Sequence, residues 1–405
     1  MPPQRQRSSF PCAIVNARGR TRLASGHPWI YRQDVAEGPA QDARNGGPSL
    51  VAVLDERKRP LAIASWAAES PIALRVFERR DAVDALPDLL TLVTQRFEAA
   101  LAWRQGLGFD RDGIRLVHGE GDNLPGLFID RYADAVVMQT TSVAMDAIRP
   151  ALAIWVHERL KVRLVVTRDD GSARDFEGLP RVREVSAGQG GTEVVYRLGK
   201  NHLQADLMTD SKTGGFLDQA DNHASVAAWT KPGARCLDAF TYHGGFALAM
   251  ARQGGPVLAT DQDAQAAART QANAKRNQLA NMEVRQADAF ALLRTLEAEK
   301  QRFDVVVLDP PALAKRQAGD QAALRAYQEI VLRGLRITQP GGVAVPCSCS
   351  GRVSREQFDE VVQSAAAQSG RTIQILERRG AGRDHPELAG VPETGHLKCW
   401  ILRVL

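Results

Sequence analysis

From residue 201 to the C-terminus, short apolar runs alternate with stretches in which apolar positions recur every three or four residues. That is the pattern of strands and amphipathic helices in a doubly wound α/β domain. Seven strands are predicted, at 235–239, 256–260, 282–286, 304–308, 342–347, 372–376 and 397–403. The last two are separated by a loop rather than a long helix, which predicts a terminal hairpin adding an antiparallel strand. Upstream the texture changes. Residues 12–80 hold brief β-type stretches at 13–16, 50–54, 61–64 and 73–77 between Gly, Pro, Asp and Asn, which predicts a small β-rich domain. Helical spacing over 86–106 predicts a helix bridging two domains. Strand-like runs at 126–130, 135–140, 164–167 and 193–198 surround one helical pattern at 145–160, predicting an α+β middle domain. The expected organisation is therefore 1–80, 81–200 and 201–405.

Composition agrees with this plan. A chain of 405 residues exceeds what one hydrophobic core usually organises. With 44% hydrophobic and 24% charged residues it is neither disordered nor fibrous in type. No apolar run approaches the roughly 18 residues that span a bilayer, and the N-terminal MPPQRQRSSF lacks the apolar segment of a secretory signal. A cytoplasmic location with no membrane partner is expected. The five cysteines (Cys12, Cys236, Cys347, Cys349 and Cys399) are scattered except for one C-x-C. They suit neither a disulfide framework nor a four-ligand zinc site, and no metal site is expected. The charge of +5 is local: the first 80 residues carry 13 Arg and Lys against 7 Asp and Glu. A segment of that kind suits contact with a polyanion.

The chemistry is concentrated at the predicted strand ends. The first strand runs into D-A-F-T-Y-H-G-G-F at 238–246, where Gly244 and Gly245 allow a ligand to approach the backbone closely. Asp238, Phe240 and Tyr242 of this turn are candidate cofactor contacts with them. The run is not the G-x-G-x-x-G fingerprint, which argues against a nicotinamide cofactor. The second strand ends at Asp261, suited to accept hydrogen bonds from the ribose hydroxyls of a nucleoside. The third leads to Asp288 and Ala289, a carboxylate for an adenine amino group beside backbone and apolar atoms for the ring.

The fourth strand ends in Asp309, Pro310 and Pro311, a carboxylate with two rigid residues suited to hold a planar base. The fifth ends P-C-S-C-S-G at 346–351, placing Cys349 where the strand leaves the sheet. A thiolate suits methylation of a pyrimidine at C5, a carbon with too little nucleophilicity to attack a sulfonium methyl unaided. Addition of sulfur at C6 makes C5 an enamine carbon. Asp309 is placed to stabilise the proton that N3 then carries.

These residues bring a family into view. The chain resembles, along nearly its whole length, the bacterial 23S ribosomal RNA cytosine-C5 methyltransferases that join a PUA domain, a central α+β domain and a class I methyltransferase domain. The stretches that carry the resemblance are G-H-P-W-I-Y at 26–31, D-N-L-P-G-L-F-I-D-R at 122–131 and K-T-G-G-F-L-D-Q at 212–219. They continue with F-T-Y-H-G-G-F at 240–246, D-P-P at 309–311, S-C-S-G at 348–351 and D-H-P at 384–386. The resemblance implies a PUA domain that binds RNA, S-adenosylmethionine as cofactor, and a 217–219 segment, Gln219 included, bordering it. It matches Cys349 to the family's nucleophile, while Cys347 and His243 depart from the usual residues and leave two thiols in the motif. Lys315 follows the D-P-P loop, as an RNA-phosphate contact or a solvated loop residue.

The expected fold is thus α/β, a Rossmann-like seven-stranded methyltransferase domain behind a β-rich PUA domain and an α+β middle. The expected reaction is methyl transfer to C5 of a cytidine in 23S rRNA, with Cys349 and Asp309 catalytic and Pro310, Pro311 and Lys315 on the substrate. Methylation of another base position, a non-catalytic RNA-binding assembly factor and, least, a nicotinamide oxidoreductase are the alternatives. A homodimer is left open.

Overall fold

The computed structural model describes residues 10–39, 49–313 and 320–405. The first sheet is built from β1 (Cys12–Val15), β2 (Trp29–Tyr31), β3 (Val35–Glu37), β4 (Leu50–Leu54), β5 (Pro60–Trp66) and β6 (Ile72–Arg79), in the order β2-β6-β5-β4-β1-β3. Helix α1 (Ala17–Ala24) follows β1, capped by the Asn16 side chain, which accepts from the Gly19 N–H. Alternate strand positions, among them Ala13, Val15, Val51, Val53, Ala62 and Leu74, bury one apolar face. Strands β2 and β3 are three residues each, too short for alternation to reveal them in the sequence.

Helix α2 (Leu89–Gly106) starts at Asp88, whose carboxylate accepts the Thr91 N–H at 2.9 Å. Leu89, Val93, Phe97 and Leu101, at four-residue spacing, lie on one buried face. They enter a core that takes Ile63 and Phe77 from the first sheet and Val117, Leu127 and Ile129 from the next, so α2 does bridge two layers. That second sheet has the order β11-β10-β9-β8-β7, with β7 (Gly113–His118), β8 (Leu127–Tyr132), β9 (Ala135–Thr140), β10 (Leu164–Asp169) and β11 (Val182–Gly188), and α3 (Val143–Leu160) connecting β9 to β10. A hairpin of β12 (Glu193–Leu198) and β13 (Asn201–Asp206) follows. The expected boundary at 200 falls in its turn.

The C-terminal domain comprises α4 (Ala220–Trp229), β14 (Cys236–Asp238), α5 (Gly245–Ala251), β15 (Val257–Asp261), α6 (Ala264–Arg276), β16 (Met282–Gln286), α7 (Ala289–Ala298), β17 (Phe303–Leu308), α8 (Asp320–Ile337), β18 (Thr338–Ser348), α9 (Arg355–Ser369), β19 (Ile373–Arg379) and β20 (Lys398–Val404). Its seven strands run β16-β15-β14-β17-β18-β20-β19. Strand β14 pairs in parallel with both β15 and β17, so the order reverses there and a crevice opens at the strands' carboxyl ends. Val305, Val306, Val307 and Leu308 are all buried, as a parallel strand covered on both faces requires. The expected hairpin is present: β20 is antiparallel to β18 and β19.

The middle and C-terminal parts share one core, in which Tyr132, Val137 and Tyr196 pack with Leu217, Phe246 and Val305. Asn273 of α6 and Asn277, which caps its C-terminus, secure the β12–β13 hairpin to the C-terminal domain. Asn277 accepts the His202 N–H at 2.9 Å and Asn273 the Gln204 N–H at 3.0 Å.

Candidate functional site

After β14 the chain turns through Thr241, Tyr242, His243 and Gly244 before α5 begins. Gly244 (φ 91°) takes a left-handed conformation, and so does Tyr242 (φ 49°). For a residue with a Cβ this costs about 1–2 kcal/mol, so other contacts must impose it. They are visible: the Tyr242 N–H donates to Asp261 Oδ2 at 2.9 Å and its carbonyl accepts from the Thr270 hydroxyl at 2.6 Å. Its phenol oxygen accepts the Ser211 N–H at 3.0 Å, and its ring stacks on His243 at 3.7 Å. Burial holds the His243 imidazole at a pKa of about 3, hence neutral.

Asp238 braces this turn from behind. It is fully buried, and Oδ2 accepts both the Thr241 hydroxyl at 2.9 Å and the Ala247 N–H at 3.0 Å. Burial raises its pKa to about 7.

The turn lines a cavity of about 420 Å³, in the size range of small-molecule sites. Asp261, the last residue of β15, and Asp288, just beyond β16, share it with Ala289 and Phe290. Asp288 also caps α7, accepting the Ala291 N–H at 2.8 Å. Asp309 and Cys349 reach the same cavity from adjacent parallel strands, whose last paired residues are Leu308 and Pro346. Cys349 Sγ lies 4.0 Å from the Pro310 carbonyl.

Gln219 orients Asp309, its Nε2 donating to Oδ2 at 3.0 Å while Asn222 donates to the Gln219 carbonyl oxygen at 2.6 Å. Burial, and then the negative charges of Asp218 and Asp238, push Asp309 up to about 7. Burial, and then Asp309, push the Cys349 thiol up to about 11, with Lys212 acting in the opposite direction. Cys347 is buried and stands opposite Cys399 across the β18–β20 pair; it touches Gln219 but is not itself part of the cavity lining.

A model of the PUA-like domain matches residues 13–79, and a methyltransferase-domain model matches residues 230–383. The ribosomal RNA large subunit methyltransferase of Deinococcus radiodurans is 35% identical over 409 residues, covering 96% of each chain. The ribosomal RNA large subunit methyltransferase I of Yersinia pestis is 31% identical over 406 residues, covering 97% of this chain and 99% of its own. The chain belongs to the ribosomal RNA large subunit methyltransferases. A methyltransferase solved with SAH (TM-score 0.81, 16% identity) and a SAM-dependent methyltransferase from Streptococcus mutans (TM-score 0.78, 17% identity) share its fold over 97% of this chain and 100% of theirs.

In this family member, the residues singled out by sequence largely converge. Gln219, Phe240, Tyr242, Gly245, Asp261, Asp288, Ala289, Asp309, Pro310, Pro311 and Cys349 all line the one cavity. Gly244 and Asp238 do not; they shape and brace the turn, because a strand-end carboxylate with no space before it turns to the nearest backbone donors. Lys315 lies outside the described residues. Sequence reasoning passed over Lys212, Phe216 and Phe290, which also line the cavity, as does Asp218 of the 217–219 segment. The signal for Lys212 was the K-T-G-G run, whose Lys212 (φ 53°) and Gly214 (φ 128°) both need left-handed backbone.

That run is held by the middle domain. The Thr213 hydroxyl donates to Asp130 Oδ2 at 2.7 Å and lies 2.8 Å from the Tyr132 hydroxyl, which accepts the Gly215 N–H at 3.0 Å. Beyond it, Lys212 Nζ and His396 Nε2 each lie 3.0 Å from Asp218 Oδ2. Despite burial, the Lys212 charge and then the His396 hydrogen bond hold the Asp218 carboxyl well below the usual range.

Proposed function

We propose that this protein transfers a methyl group from S-adenosylmethionine to C5 of a cytidine in 23S ribosomal RNA, with Cys349 as the nucleophile and Asp309 as the acid that serves the base. The observation that carries this reading is that one thiol and one raised carboxyl line a single cavity from neighbouring strand ends. A methyltransferase acting on an exocyclic amine has no use for that thiol.

The cavity suits the cofactor. Five carboxylates line it, from Asp218, Asp261, Asp263, Asp288 and Asp309, and S-adenosylmethionine brings a sulfonium and an ammonium. Asp261 would take the ribose hydroxyls, while Asp288, Ala289 and Phe290 would hold the adenine. Phe240, Tyr242, Gly245 and Gln219 would complete the contacts, over a turn shaped by Asp238 and Gly244. When bound, the cofactor supplies the electrophilic methyl group.

The chain's own residues supply the rest. The Cys349 thiolate forms a bond to C6 of the base, and N3 takes the proton of Asp309, leaving C5 as an enamine carbon that accepts the methyl. Loss of the C5 proton to solvent breaks the C6–S bond and frees the thiolate, while N3 returns its proton to Asp309. Pro310 and Pro311 keep the Asp309 loop rigid beside the base. Lys315 would meet an RNA phosphate, and reaching a paired cytidine requires flipping it out of its stack. The division of labour would follow 1–80 for RNA capture, 81–200 for support and 201–405 for chemistry, in a cytoplasmic protein. The relatives' names support an rRNA substrate, and the PUA-like domain supports RNA binding.

The test is nucleoside mass spectrometry on unmodified 23S rRNA incubated with S-adenosylmethionine and either the native protein or Cys349→Ala. 5-Methylcytidine formed by the native protein alone is the expected result. A methylated purine, or 5-methylcytidine made by Cys349→Ala, overturns the mechanism.

A further inference from the structure

The cavity that holds Cys349 is a poor place for a thiolate. Five carboxylates line it, and both histidines that share it, His223 and His243, are held neutral by burial at pKa values of about 3. Among the described residues, the only Lys or Arg in the lining is Lys212. Its placement is built at some cost. Lys212 has left-handed backbone at φ 53°, and Thr213 and Gly215 just after it are pinned by Asp130 and Tyr132 of the middle domain. Its amine is ion-paired with Asp218 Oδ2 at 3.0 Å and sits 4.3 Å from the centre of the Phe216 ring. Asp218 is fixed in turn by His396.

We propose that Lys212 is the cation that favours the Cys349 thiolate, and that the middle domain serves catalysis by presenting it. This rests on Cys349 being the nucleophile, as above. Burial works against the lysine's charge, but Asp218 and then the Cys349 sulfur outweigh it and raise its pKa, so it stays protonated. The charges that act most strongly on the sulfur are Asp309 and Asp218, which disfavour its charge, and Lys212, which favours it.

Two more groups are near. Tyr327, behind the S-C-S turn, stays a neutral phenol because burial raises it. Lys398 is buried on β20, with Nζ donating to the Ser350 and His396 carbonyls at 2.7 and 2.8 Å. Burial lowers it to about 8 although the Cys349 sulfur favours its charge, and it is not part of the lining, so it is the weaker candidate. An opposite charge a few ångströms away lowers a thiol's pKa by about one to three units.

The test reads the thiol and needs no RNA. Full-length native protein, Lys212→Met, Lys212→Gln, Lys212→Arg and Lys398→Met are alkylated with iodoacetamide across pH 6–10, and the Cys349 peptide is quantified by mass spectrometry. The expected result is an alkaline shift of about one pH unit, hence roughly tenfold slower alkylation at pH 8, in both neutral Lys212 variants. Lys212→Arg stays within about threefold of native, with thermal melting confirming that each variant is folded. Alkylation profiles of Lys212→Met and Lys212→Gln that coincide with the native one overturn the proposal, even if methyl transfer is lost. So does a shift confined to Lys398→Met. If instead the product proves not to be 5-methylcytidine, it is the assigned reaction that fails, and the alkylation profiles still report what Lys212 does to the thiol.

Discussion

Arg115 and Asp130 stand directly opposite each other on β7 and β8 and form a two-pronged ion pair, Nε to Oδ1 at 2.6 Å and Nη2 to Oδ2 at 2.7 Å. Asp130 Oδ2 is also the acceptor for the Thr213 hydroxyl, so one buried carboxylate ties the middle sheet to the turn that carries Lys212. Removing the arginine leaves that carboxylate without its counter-charge. Arg115→Met is expected to destabilise the protein by about 3–5 kcal/mol, whereas Arg115→Met combined with Asp130→Asn recovers much of the loss. Urea unfolding of the three proteins measures it; equal losses in the single and double variants would show that the charge is not what matters.

The raised carboxyl and raised thiol make a specific pH profile. The reactive form has Asp309 protonated and Cys349 ionised, with pKa values of about 7 and about 11 respectively. Below 7 nearly all Asp309 is protonated and the thiolate fraction grows about tenfold per pH unit. Between 7 and 11 the gain in thiolate is cancelled by the loss of protonated Asp309. The rate of 5-methylcytidine formation, measured as kcat/KM, should therefore climb to about pH 7 and then level. Asp309→Asn, which cannot lose a proton there, should be slower throughout but keep climbing above pH 7. A native rate still rising tenfold per unit at pH 9 would exclude Asp309 as the acid.

How much of this was legible from sequence divides along physical lines. The seven strands, the terminal hairpin and the cavity-lining residues announced themselves because each strand end is a local pattern, an apolar run stopped by Asp, Gly or Pro. Strands β11 and β13 did not, since V-R-E-V-S-A-G shows no buried face and N-H-L-Q-A-D is polar at four of its six positions, and both owe their conformation to pairing partners. Sequence-distant contacts were equally invisible. The D-H-P run reads as a chemical motif, yet Asp384 accepts the Arg115 N–H through Oδ2 at 3.0 Å and the Arg104 guanidinium through its carbonyl at 2.8 Å, docking the C-terminal segment on the middle sheet. Trp29 of G-H-P-W donates from Nε1 to Glu120 Oε1 at 2.8 Å and docks the first sheet likewise. Asp238 misled for a related reason: a carboxylate at a strand end and one buried behind the turn look identical until the turn's geometry is known.

Asp238 carries its own consequence for stability. Its folded-state pKa of about 7 lies above the ordinary value of 3.8, so the folded protein holds a proton that the unfolded chain releases. The sign follows: its contribution is full below pH 4 and is lost as pH rises from about 4 through 7. The stability of native protein relative to Asp238→Asn should fall across that interval, with a limiting slope of about 1.4 kcal/mol per pH unit. Denaturant midpoints of the two proteins at pH 4.5, 6 and 7.5 provide the comparison. A constant difference would mean that Asp238 is ionised in the fold throughout.

The C-x-C run offers a sharp contrast between two thiols two residues apart. Strand alternation continues to Cys347, which is buried against Cys399 between β18 and β20, whereas Cys349 follows the last residue of β18 and meets the cavity. A buried thiol of this kind behaves as a small apolar side chain, so Cys347→Ala is expected to cost on the order of 1 kcal/mol of stability. It should leave methyl transfer within about threefold of native, a barrier change of roughly 0.7 kcal/mol. Cys349→Ala should do the reverse, folding as well as native protein and forming no 5-methylcytidine. Melting temperature and product yield, measured side by side, separate the two: if Cys347→Ala loses activity while its melting temperature holds, the sheet-facing thiol takes part in the chemistry and the single-cysteine mechanism fails.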